Sequence, residues 1–353
     1  MPDALQVVLS ADFIDADRNL MFPDIGLCTI ADRARIETRF LPEYKVEYTP
    51  DQLQNAHALL SLKPKVSAAS LDGIERLCAI GRFGVGYDNI DLPACTGHDI
   101  AVYITRNAVI RPVASSIVTL VLALSHNLVG KDRLIRRGEW TASTRRIGKE
   151  PRGRVVGTVG FGNIAREAVR LLKALDVGRF LTYDPFASAA EAAEMGVEMV
   201  PLDELLAASD YVLINCPLTE STRKLIGERE LNRMKPDAVL INTARGPIVD
   251  EAALARALQA GRIAGAALDV FEQEPLPAGS PLLSLENTLL SSHSLCWTEE
   301  LFRDMGREAF AGVLAISAGK APAHVVNPEV LERRGFRRKL ERLSLIKEEL
   351  RKA

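Results

Sequence analysis

Val155-Val156-Gly157-Thr158-Val159-Gly160-Phe161-Gly162-Asn163-Ile164-Ala165 is the stretch that decides the fold. A short apolar, β-branched run leads into a G-x-G-x-x-A turn, and an amphipathic helix is predicted over residues 165–175. In such a strand–turn–helix unit each small residue has a physical task. Gly160 permits the tight turn, Gly162 lets a pyrophosphate approach the backbone, and Ala165 lets the helix sit close on the strand. The helix start then offers unspent amides and a partial positive charge to phosphates, through Asn163 and Ile164. About twenty residues on, at the end of the next predicted strand, stands Asp184, where a carboxylate would bind the adenosine ribose hydroxyls. It would also repel a 2′-phosphate, and Pro185 and Phe186 follow with no Arg beside them, so NAD is expected rather than NADP.

Outward from this stretch, strands alternate with helices. Six strands are predicted between Val155 and Ser292, at residues 155–159, 180–183, 211–214, 238–241, 266–268 and 288–290. That rhythm specifies a doubly wound parallel sheet. Before it, strands are predicted at residues 6–9, 58–61 and 78–80, with a helix at residues 71–77. The fold class is therefore α/β, with two Rossmann-like units. A substrate-binding unit of flavodoxin type is expected from residues 1–107 with 299–353, and a dinucleotide-binding unit from residues 108–298. A long apolar helix is predicted over residues 111–129 around Ser116–Ser125; its nearly all-round apolarity suggests an interface and hence a homodimer. Residues 130–152 turn polar and basic and read as a surface connection around Trp140. A helix is expected over residues 299–318. The tail from Glu329, rich in Arg, Lys and Glu with Leu at helical spacing, reads as a solvated amphipathic helix, with a partner-docking helix as the alternative.

Composition narrows the function. The 353 residues are 47% hydrophobic and 25% charged, with a formal net charge of −2, a soluble globular balance without the basic excess of a nucleic-acid-binding domain. The five cysteines, Cys28, Cys78, Cys95, Cys216 and Cys296, form no C-x-x-C pair, and the five histidines never fall in ligand-spaced pairs. Neither a metal site nor a disulfide framework is expected. The first twenty residues lack a basic start and an apolar core, and no run approaches bilayer-spanning length. A cytoplasmic protein with no membrane partner is the expectation.

Three segments carry candidate chemistry: Asn242-Thr243-Ala244-Arg245-Gly246, Asp269-Val270-Phe271-Glu272-Gln273-Glu274-Pro275, and Ser291-Ser292-His293. Each follows a predicted strand of the second sheet, and strand carboxyl ends line the ligand crevice in such folds. Arg245, Glu274 and His293 can therefore converge. A guanidinium clamps a carboxylate and polarises a neighbouring oxygen. An imidazole exchanges a proton in either direction near neutral pH. A carboxylate behind it orients the ring.

With these segments goes a resemblance. Gly84-Val85-Gly86-Tyr87-Asp88-Asn89-Ile90-Asp91, the glycine turn, Cys216-Pro217-Leu218-Thr219, Asn242–Gly246 and Asp269–Pro275, in this order, resemble the D-isomer-specific 2-hydroxyacid dehydrogenases over nearly the whole chain. The resemblance implies hydride transfer between NAD and C2 of a small 2-hydroxy or 2-keto acid. It implies Arg245, Glu274 and His293 as the catalytic set and the backbone of Val85 and Gly86 as a carboxylate holder. It also implies Asp269 at the nicotinamide carboxamide, and Cys216, Pro217, Thr222 and Thr243 along the cofactor cleft. The chain departs from the family pattern in places. Ser291-Ser292-His293-Ser294-Leu295-Cys296-Trp297 replaces the usual Thr-Pro-His turn, and the bulk of Trp297 suggests an apolar or larger keto acid. Lys63, in a loop that faces substrate in the family, suggests a second carboxylate or a phosphate. Two alternatives stay open: a phosphoglycerate-dehydrogenase-like enzyme, and a non-enzymatic NAD-sensing binding protein like the corepressors that share this fold.

Overall fold

The computed structural model describes residues 4–31, 33 and 35–348. The chain divides into two compact units, one made of residues up to Val109 together with those from Trp297 onward, the other of Ile110–Cys296. The discontinuous unit is built on β1 (Leu5–Leu9), β2 (Ile36–Phe40), β3 (Ala58–Ser61), β4 (Ala79–Arg82) and β5 (Ala101–Ile104), all parallel, in the order β2-β1-β3-β4-β5. This is the flavodoxin-like order, with its topological switch point between β1 and β3. The helix Glu299–Ser317 returns the chain to this sheet, and Tyr103 of β5, wholly buried, donates its hydroxyl to the carbonyl of Ala309 on that helix at 2.7 Å. The tail helix Arg334–Glu348 turns Phe336, Leu340 and Leu343 into the same unit. Lys339 Nζ donates to the carbonyls of Leu77 and His98 at 2.8 and 2.7 Å. The apolar face of the tail is thus occupied by its own unit. Residues 349–353 of the expected tail helix lie outside the described residues.

The second unit is built on β6 (Val155–Val159), β7 (Arg179–Tyr183), β8 (Val197–Met199), β9 (Tyr211–Ile214), β10 (Val239–Asn242), β11 (Gly265–Leu268) and β12 (Thr288–Leu290). All neighbours are parallel, in the order β12-β11-β10-β9-β6-β7-β8. Strand order reverses between β6 and β9, so the ligand crevice of a doubly wound sheet opens over their carboxyl ends.

Several expectations need correction. The second sheet has seven strands rather than six, because the three-residue β8 is too short to show a period. Residues 71–77 form no helix: a 3-10 turn at Ala69–Leu71 stops, and Gly73 takes φ +68°, a left-handed conformation that interrupts helical pairing. The long apolar helix ends at Ser125, since Asn127 adopts φ +53°, and a new helix, Leu128–Arg136, departs at a 58° bend. What read as a connection over residues 130–152 contains this helix and another at Trp140–Arg145. The apolarity of Ile110–Ser125 is spent inside its own unit. Ala114, Ile117, Leu120 and Val121 join Val156, Phe161, Ala165 and Val169 in one core. No single helix among the described residues is long and apolar enough to cross a membrane.

Candidate active site

At the switch point the loops after β6 and β9 touch. Gly160 has φ +97°, and a Cβ there would lie 2.6 Å from the Cys216 nitrogen, so only glycine fits. A Cβ on Gly162 would meet nothing within 4 Å. The helix Asn163–Leu172 starts there with no side chain capping it, leaving Asn163 and Ile164 in its first turn. This cradle, open above and uncapped, fits a pyrophosphate. Asp184 follows β7 and is fixed by two amides: Phe161 donates to Oδ2 at 2.8 Å and Phe186 to Oδ1 at 2.9 Å. On the opposite lip, Thr222 Oγ1 accepts from the Thr219 amide and donates to the Pro217 carbonyl, both at 2.7 Å, shaping the loop that follows Cys216. Burial pushes the Cys216 thiol up to about 11, so it is a packing group and not a nucleophile at neutral pH. Asn215 Nδ2 is buried beside this lip with no hydrogen-bond partner among the described residues, a donor left over for a bound group.

The second half of the site lies along β10, β11 and β12, where Asn242, Leu268 and Leu290 stand level in the ladder. The next residues on all three strands therefore emerge side by side. Thr243, half-buried, leaves β10 first. The buried Asn242 then shapes the Arg245 loop, donating from Nδ2 to the Arg245 carbonyl at 2.9 Å and accepting from the Ala244 amide at 3.0 Å. Gly246 lies so close to the next loop that a Cβ would be 1.9 Å from the Phe271 carbonyl carbon. On that loop Glu274 Oε1 accepts from the Phe271 amide at 3.0 Å, and Oε2 meets His293 Nδ1 at 2.8 Å. Burial raises the Glu274 carboxyl, but the hydrogen bond and charge of His293, the Phe271 amide and Arg245 outweigh it, and the net displacement is downward. An ionised carboxylate only accepts, so Nδ1 carries the proton and Nε2 is the ring nitrogen that Glu274 leaves unengaged.

His293 itself has φ +55°. What holds this strained backbone is a residue for which the sequence indicated a different role. The buried Asp269 takes three donors on Oδ1: Ser291 Oγ at 2.6 Å and the amides of Ser294 and Leu295 at 3.2 Å. The charged acceptor wraps residues 291–295 around itself and presents the imidazole. The signal for this role was the Asp–Ser pairing at the ends of two adjacent strands, visible only once strand order is known.

The remaining predicted site residues lie in the discontinuous unit. Val85 and Gly86 follow β4, and among the described residues nothing accepts from their amides. Lys63 follows the neighbouring β3 and is tied to this turn by Asn89, which donates to its carbonyl at 3.0 Å. Its Nζ stands 5.1 Å from the centre of the Trp297 ring. Trp297 also meets Phe22 and Phe302 edge-on, at 5.5 and 5.2 Å, so packing fixes the indole. No group of three or more His, Cys, Asp or Glu side chains suited to a metal ion occurs among the described residues.

Comparison with known proteins bears on this geometry. Residues 118–294 match the family described as D-isomer specific 2-hydroxyacid dehydrogenase, NAD binding domain. The chain is 37% identical to a glyoxylate reductase of Korarchaeum cryptofilum, over 88% of this chain and 95% of that one. It is also 37% identical to a glyoxylate reductase of Thermofilum pendens, over 88% and 94%. Among solved structures it is similar to an NADPH-dependent glyoxylate/hydroxypyruvate reductase of Sinorhizobium meliloti, with a TM-score of 0.77 and 27% identity over 92% of this chain and 98% of that one. A glycine cradle at a switch point, beside an acid-held imidazole, defines an NAD-dependent oxidoreductase acting on a CH–OH carbon. The chain belongs to the D-isomer-specific 2-hydroxyacid dehydrogenase family.

Proposed function

We propose that this protein reduces glyoxylate and similarly small 2-keto acids, with Arg245, Glu274 and His293 as its working set. The Glu274–His293 contact at 2.8 Å, one strand from Arg245, carries the reading. Arg245 clamps the substrate carboxylate and polarises the C2 oxygen. His293 gives a proton from Nε2 to that oxygen in reduction and takes it back in oxidation. Glu274 is the positioning residue that fixes the ring through Nδ1. NADH, when bound, supplies the hydride to C2. Gly160, Gly162, Asn163 and Ile164 are assigned to its pyrophosphate, Asp184 to the ribose, and Cys216, Pro217, Thr222, Thr243 and Asp269 to its nicotinamide half. The unspent amides of Val85 and Gly86 suit a carboxylate, and Lys63 and Trp297 are assigned to the wall of the substrate pocket.

The test is NADH oxidation with glyoxylate, hydroxypyruvate, pyruvate and phenylpyruvate. Glyoxylate is expected to turn over, with kcat/KM falling by about a hundredfold or more in His293→Gln and Arg245→Ala. NADH binding without turnover of any 2-keto acid would refute the reading. We further assign the protein to the cytoplasm, consistent with five unpaired cysteines, and to a homodimer. We place the dimer surface on the stretch after the helix Ile110–Ser125, where Leu128, Ile135, Trp140 and Ile147 are exposed. A sedimentation velocity run showing a monomer would remove this last assignment.

A further inference from the structure

Across the Phe161 backbone from the Asp184 carboxylate stands a guanidinium that the cofactor assignment leaves unused. Asp184 Oδ2 accepts from the amide of Phe161; Arg166 Nε donates to the carbonyl of that same residue at 3.1 Å. Phe161 is therefore bracketed, with the acid on its nitrogen and the base on its oxygen. The Arg166 guanidinium also lies 5.1 Å from the centre of the Phe161 ring. Its Nη2 is engaged by Glu191 Oε2 at 2.5 Å, from the first turn of the helix after β7. Arg166 is about one-third exposed and Glu191 more than half, so this ion pair faces solvent and contributes little to the fold, and it can be broken without unfolding the unit.

A phosphate on the adenosine 2′-oxygen would add about two negative charges close to Asp184, where like-charge repulsion excludes it. An arginine nearby is the group that accommodates such a phosphate. We propose that selection of NAD over NADP here is a two-carboxylate device. Asp184 repels the 2′-phosphate, and Glu191 occupies Arg166, the guanidinium that would otherwise bind it. A latent 2′-phosphate site thus exists in the chain, closed by one ion pair. The inference rests on the assignment of Asp184 to the ribose.

The test uses calorimetric titration of the full chain with ADP-ribose and with its 2′-phosphorylated form, so that no turnover is needed. The unaltered protein should prefer ADP-ribose, and Asp184→Asn should narrow that preference. Adding Glu191→Ala should tighten binding of the phosphorylated ligand by a further factor of about ten, leaving ADP-ribose nearly unaffected. Arg166→Met on that background should abolish the gain. Glu191→Ala alone should give a smaller gain of the same sign, which keeps the test independent of whether the Asp184 variant folds. A double variant no better than Asp184→Asn, or a gain that survives Arg166→Met, overturns the device. ADP-ribose binding unchanged by Asp184→Asn overturns instead the ribose assignment beneath it.

Discussion

Gly246 gives the sharpest test of how the proposed catalytic set is held. The Cβ of Gly246→Ala would fall 1.9 Å from the carbonyl carbon of Phe271, 2.0 Å from its oxygen and 2.5 Å from the Glu272 nitrogen, all backbone atoms that cannot rotate away. Ordinary contact begins near 3.4 Å, so the Arg245 loop and the Glu274 loop must separate by about 1.5 Å. Misplacement by ~1 Å costs about a hundredfold in rate, and kcat/KM with a 2-keto acid should fall by at least that much. Overpacking of this kind costs about 3 kcal/mol, or a fall in Tm of about 6–12 °C for a unit of this size, which leaves it folded at room temperature. Gly279→Ala is the control, since a Cβ there meets nothing within 4 Å. Steady-state kinetics beside a thermal melt decide the matter. A Gly246→Ala enzyme within about twofold of normal kcat/KM and unshifted in Tm would refute the claim that this contact sets the distance between Arg245 and the dyad.

Two further outcomes are expected. Asp269→Asn removes the charged acceptor that wraps residues 291–295, so kcat should fall about tenfold or more and the amides of Ser294 and Leu295 should lose protection in hydrogen exchange; unchanged protection would show that the His293 backbone is held by something else. Glu167 is hydrogen-bonded to Arg170 and Arg111, which hold its carboxyl at about 2. A depressed carboxyl stabilises the fold above its ordinary range and stops doing so as pH falls toward that value. Glu167→Gln should therefore be less stable at neutral pH by about 1 kcal/mol after solvent screening, and denaturant melts should show the gap closing as pH drops from about 4.5 toward 2.

The nucleotide-binding sheet was largely legible because its strands are buried on both faces and read as apolar runs; all six strands expected there are present. Of the strands missed, Ala101–Ile104 is itself a short apolar run, and the other two had different compositions. Ile36-Glu37-Thr38-Arg39-Phe40 is an edge strand with exposed charges, and its place beside β1 is set by pairing rather than by pattern. Val197–Met199 is too short to carry a period. Asn127 hid a helix break, because a left-handed asparagine costs little and leaves no compositional mark. In the site, residue chemistry pointed to Arg245, Glu274 and His293, and the Glu274–His293 contact is present. The supports, Asp269 behind the histidine loop and Gly246 between two backbones, depend on which strands are neighbours, which no local window contains.

The return of the chain through Glu299–Ser317 has a consequence for biosynthesis. Tyr103 and the β4–β5 edge must wait for Ala309 and Lys339 while more than two hundred intervening residues emerge from the ribosome. The inserted unit, contiguous in sequence, can close first, reversing the usual amino-to-carboxyl order of folding. Until the last helices arrive, the opening segment is a sheet with an uncovered apolar face, and that interval is when a nascent chain of this architecture most needs a chaperone.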